Sequence, residues 1–146
     1  MMKSIPVWKQ ELSDGVHAAR LASLYCCAPA ETASEAARYA AVLDGLEKTF
    51  GSHAEAGLYS APGRTEIGGN HTDHQHGRVL AGSVNIDMIA AAAPNDKNQL
   101  RVQSEGYDLC VIDLNDLEAR KEEENTTAAL LRGECAAFTQ RGAKLA

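Results

Sequence analysis

The texture of the chain changes at Leu58, and that boundary constrains the fold more than any other feature. Before it, apolar residues recur at helical spacing. After it, glycines stand at 63, 68, 69, 77 and 82 with Pro62 among them, and the helical period is lost. The upstream part reads as two helices. Residues 13–27 form the first, with Ser13 as N-cap, Val16, Leu21 and Leu24 on one stripe, and Pro29 beyond its end. Residues 32–50 form the second. Thr32 and Glu35 make a capping-box pattern, and Ala36, Tyr39, Ala40, Leu43, Leu46 and Phe50 make the buried stripe. Gly51 sits where a left-handed cap residue belongs.

Downstream, 79–84 and 86–93 read as strands. The cluster Pro94-Asn95-Asp96-Lys97-Asn98 is a turn, Leu100 to Ser104 alternates, and Leu109 to Leu114 is a further apolar stretch. Short connections between three such strands predict an antiparallel meander. The charge run 118–124 reads as a solvated loop or a lead-in to a last helix over 126–141, capped by Asn125. The apolar stripe of that helix is Ala128, Leu131, Cys135 and Phe138.

Composition removes several functions. Lys and Arg total 14 and Asp and Glu total 20, a net charge of −6. With aromatics at 5%, neither a basic footprint nor a stacking platform for nucleic acid exists. No apolar run approaches the roughly 20 residues of a membrane span, and the first residues lack an apolar signal core. A cytoplasmic protein with no nucleic-acid or membrane partner is expected. Cys26, Cys27, Cys110 and Cys135 lack metal or redox spacing and read as buried, reduced thiols.

The chemistry lies in Ala61 to Gly77, APGRTEIGGNHTDHQHG. Arg64, Glu66, Asn70, His71, Asp73, His74 and His76 crowd between glycines, so the segment reads as a loop built to converge polar groups on a ligand. One reading is a metal site from His71, Asp73, His74 and His76. Another is a polar-ligand site, with Arg64 facing developing charge and Asn70, His71 and Asp73 facing hydroxyls. A third is a surface loop with incidental histidines.

The segment resembles the signature of galactokinases, in the GHMP family of small-molecule kinases, which runs approximately APGRVNLIGEHTDYNxG. Ala61 to Arg64, Gly69, His71 to Asp73 and Gly77 match without a gap. Val79-Leu80, the strand Ile86 to Ala93 and the register of the last helix continue the match. The resemblance ranks the sugar site first, with no metal. It implies that Arg64 lies beside the reacting hydroxyl as the catalytic cation, and that Asn70, His71 and Asp73 bind the sugar with it. Three positions depart from the pattern: Glu66 stands for asparagine, Asn70 for glutamate and His74 for tyrosine.

By the same resemblance the fold is α+β, the first part of a GHMP-kinase N-terminal domain. Residues 1–146 are expected as a single truncated domain, with a helical lead-in over 1–56 and strand-loop, meander and helix over 57–146. The implied activity is ATP- and Mg2+-dependent phosphorylation of galactose or a related sugar at its anomeric hydroxyl. The family's glycine- and serine-rich phosphate loop has no counterpart in this chain. The chain by itself is therefore expected to be inactive and to hold no cofactor tightly. The alternative is a non-catalytic sugar-binding or regulatory module. An uncovered sheet edge is expected to favour a homo-dimer.

Overall fold

A computed structural model describes residues 1–69, 74 and 76–145. The architecture is α+β, with four α-helices and two separate antiparallel sheets of two strands each among the described residues. The chain divides into two compact units, Met1–Ala93 and Pro94–Ala146.

In the first unit, helix α1 (Ile5–Ser13) opens with Pro6 in its first turn, where a missing N–H costs nothing. Ile5, Trp8 and Leu12 follow at helical spacing and are buried. Helix α2 (Ala18–Tyr25) buries Leu21, Ala22 and Tyr25 and ends at Cys26 with φ 53°. The single helix expected over 13–27 is thus two pieces of chain: Ser13 closes α1 rather than capping a helix. Gly15, with φ 70°, turns the backbone between them. Helix α3 (Ala33–Phe50) buries Tyr39, Leu43 and Leu46, the stripe its periodicity predicts. The Thr32–Glu35 capping box does not form; the Thr32 hydroxyl donates to the Pro29 carbonyl at 2.9 Å. One core joins the three helices to Ala56, whose carbonyl accepts the Trp8 indole N–H at 2.8 Å.

On this helical layer lies a long hairpin of β1 (Gly57–Gly68) and β2 (Leu80–Ala92). The two strands expected at 79–84 and 86–93 are one. The apparent break between them is a register shift, since Pro62 pairs with Asp87 but Arg64 with Ser83. Leu58, Ile89 and Ala91 pack against the core. Tyr59, Ile86 and Met88 are exposed.

In the second unit, β3 (Gln99–Val102) pairs with β4 (Cys110–Asp113), and helix α4 (Thr127–Gln140) follows. The expected meander is therefore two hairpins. The cluster 94–98 separates the sheets instead of joining β2 to β3 as neighbours. Pro94 has no N–H to continue a ladder, and Asn98 takes φ 50°. Thr126, not Asn125, caps α4, accepting from the Ala129 N–H at 3.3 Å. Of the predicted stripe, Cys135 is buried but Phe138 is exposed.

Arg132 takes the inward place instead, at 4% exposure. Its guanidinium grips Glu123 through two bonds of 2.8 and 2.6 Å and donates to the Asp116 carbonyl. Glu123 thus anchors the charge run that composition alone describes as solvated. Among the cysteines only Cys135 is buried; Cys26 is exposed, because the left-handed residue that ends α2 faces out.

Candidate functional site

Ala61 to Gly68 lies within β1, so the first half of the signature is strand rather than loop. A strand rich in polar side chains is costly only when buried. This one is exposed from Tyr59 to Gly68, so the polar residues of the signature strand are not sealed from water. Arg64 is 79% exposed in its side chain, and its Nη2 lies 3.9 Å from Glu66 Oε1. Residues two apart on a strand share a face, which brings this cation and carboxylate together. The guanidinium keeps most of its donor capacity free for a ligand. Asn70, His71 and Asp73 lie outside the described residues. His74 and His76 are both described and exposed, the latter at φ 61°. The metal reading needs His71 and Asp73, which also fall outside the described residues.

Gly69 forms the step from β1 into this segment. Its φ is +88°, and a Cβ there would lie 2.2 Å from the Arg78 carbonyl oxygen. No real contact is so short, so Gly69→Ala is expected to destabilise the unit by more than about 1 kcal/mol, through strain and displacement together. Thermal unfolding of the variant checks this; an unchanged Tm would show that the backbones do not approach there.

A second polar centre lies where the hairpin meets the helices, and periodicity did not reveal it. Asp87 faces the helical layer with 3% of its side chain exposed. Its Oδ2 accepts from the Tyr25 hydroxyl and from the Ser60 hydroxyl, each at 2.6 Å. Its Oδ1 accepts from Arg38 Nη2 at 3.0 Å. Tyr39 completes the group, 3.1 Å from the Tyr25 oxygen, and Arg38 lies over the Tyr25 ring. Burial alone would raise the Asp87 pKa, but the donors from Ser60, Tyr25 and Arg38 outweigh it and hold the carboxyl below its ordinary value. Burial, then the hydrogen bond to Asp87, drives the Tyr25 phenol upward, so it remains a donor. The sequence carried one signal of this centre: a lone acid inside the apolar run Ile86 to Ala93, in phase with inward Ile89 and Ala91.

The sign of the pH dependence follows. A carboxyl depressed in the folded state contributes stability that is present above its unfolded value of about 3.9 and is lost as pH falls through the lower folded value. Acid unfolding below about pH 4 is therefore expected to be steeper for this protein than for Asp87→Asn, which has no such proton to take up. Equal slopes in acid titrations followed by circular dichroism would refute the assignment.

The profile of the galactokinase galactose-binding signature matches residues 46–94, which include all of β1 and β2. A galactokinase of Ligilactobacillus salivarius (strain UCC118) is 35% identical over 83 residues, 55% of this chain and 21% of the relative. One of Streptococcus suis (strain 05ZYH33) is 34% identical over 71 residues, 47% of this chain and 18% of the relative. One of Lacticaseibacillus casei is 33% identical over 66 residues, 45% of this chain and 17% of the relative. Each match spans about a fifth of the curated relative's length. No solved structure matches the chain. No described helix is long and apolar enough to cross a membrane. With its signature on the β1–β2 hairpin, the chain is similar to the galactokinases over their N-terminal, galactose-binding portion.

Proposed function

We propose that the chain binds galactose or a closely related sugar, in the service of ATP-dependent phosphorylation at the anomeric hydroxyl. The observation that carries this reading is the signature match on residues 46–94, centred on a hairpin whose exposed Arg64 is free to meet a ligand. Asn70, His71 and Asp73 supply the hydroxyl contacts. Asp73 is the strongest of them, because a charged acceptor is worth about 1.5–3 kcal/mol against about 0.5–1.5 for a neutral pair. Asn70 stands where the family carries a glutamate, so that contact is made here without charge.

ATP and Mg2+ serve the full-length family, and the residues described here do not fit them. Helix α4 offers a phosphate no seat, because Glu122, Glu123 and Glu124 precede its N-terminus and Thr126 already caps it. This reading assigns the sugar contacts to the signature hairpin and leaves the chemistry on the phosphate to the phosphate loop of the full-length family. A cytoplasmic location and self-association through the free edges of the hairpin belong to the same reading.

The test compares Asp73→Asn and Asn70→Asp by galactose affinity and by melting temperature. Asp73→Asn is expected to weaken binding about tenfold with little change in Tm. Lowered stability with unchanged affinity would make Asp73 a turn cap and overturn the site.

A further inference from the structure

We propose that Asp87 is the positioning residue of the galactose-binding hairpin, tying it in one register to the helical layer. The inference rests on the sugar reading above and deepens it. Donors from three elements meet on this one carboxylate: Tyr25 at the end of α2, Arg38 on α3 and Ser60 on β1. Asp87 itself belongs to β2 and pairs with Pro62, two residues before Arg64. The attachment thus lies at the last regular rung before the register shift. Beyond that rung the hairpin carries Arg64, exposed, and the rest of the signature.

The apolar contacts of the hairpin cannot do this alone. Leu58, Ile89 and Ala91 hold it against the core, but apolar contact is non-directional and tolerates sliding. A hydrogen-bonded carboxylate is directional, and both its oxygens are occupied here. Burying a charge is seldom the most stabilising choice for such a position, since an apolar residue of similar volume often does as well. What the carboxylate adds is a unique place for the strand. That place sets where Arg64 stands relative to the helical layer.

The experiment uses Asp87→Asn, Asp87→Leu and Ser60→Ala, with Glu123→Gln in the second unit as a control for general loss of stability. Two readouts are taken well below each Tm: amide hydrogen exchange over 57–68 and 80–92, and galactose affinity by equilibrium dialysis with labelled sugar. Both Asp87 variants are expected to speed exchange in β1 and to weaken galactose binding, each about tenfold. Ser60→Ala, which removes one donor and spares the fold, should move both the same way by about threefold. Glu123→Gln should leave both unchanged. Asp87→Leu with native protection and native affinity would overturn the proposal; so would variants that lose affinity no more than Glu123→Gln does. If an Asp87 variant fails to fold, Ser60→Ala decides by the same two readouts. If the unsubstituted protein binds no galactose, the sugar reading falls. Exchange alone then decides the role of Asp87, and unchanged protection over 57–68 overturns it.

Discussion

In a protein of full kinase length carrying this segment, Arg64→Ala is expected to slow galactose phosphorylation by about 100- to 1,000-fold while leaving Tm almost unchanged. The size comes from removing one preorganised group that stabilises charge developing in the transition state, worth about 2.7–4 kcal/mol. The neutrality comes from the structure. Arg64 is 79% exposed, and its ion pair with Glu66 is long, at 3.9 Å. A surface pair of that kind contributes little, and surface substitutions commonly stay within about 0.5 kcal/mol. A split between rate and stability is therefore the signature of this role. Steady-state kinetics with saturating ATP, alongside calorimetry, measures both. A rate within about threefold of the parent would remove Arg64 from the reaction, being under 1 kcal/mol.

Leu43→Ala is expected to have the opposite profile, lowering stability by about 2–5 kcal/mol. Leu43 has no exposed surface and belongs to the cluster that unites α1, α2, α3 and the base of the hairpin. Truncation removes buried methyl groups and leaves a cavity that helices on several sides cannot all close. A loss of that size is a large part of what a small unit has in total. Urea unfolding is the measurement, with the slope m held near the parent value to show that the same surface is exposed. A cost below about 1 kcal/mol would mean that the site collapses freely, and that the three helices do not share one core.

The two substitutions differ because the hairpin has two different halves. Its base, from Gly57 to about Pro62, is held by the helical core and by Asp87. Its outer half, from Arg64 to Gly68, is exposed and belongs to the segment proposed to meet the sugar. A rigid attachment below an exposed segment fixes its geometry without burying its polar groups.

Much of this was determined by sequence. The stripe Tyr39, Leu43 and Leu46 identifies α3 because a period of 3.6 residues leaves little other choice. The α+β order follows from the loss of that period at Leu58. The sequence also carries the resemblance to the galactokinase signature that marks Arg64, Asn70, His71 and Asp73 as candidates, since the matched residues fall at fixed spacing without a gap. Other features came only from tertiary structure. Ala61 to Gly68 reads as loop on composition, yet it is strand, because a ladder with β2 needs only backbone groups and leaves polar side chains in water. The meander became two hairpins because strand pairing depends on the path of the chain at Pro94 and Asn98, not on the apolar content of the strands. Arg132 and Asp87 are buried where hydrophobicity would exclude them, since each finds donors or acceptors from distant segments. Local pattern carries periodicity and composition. It does not carry the partners of a buried charge, which are 9, 16, 27, 49 and 62 residues away along the chain and meet only on folding.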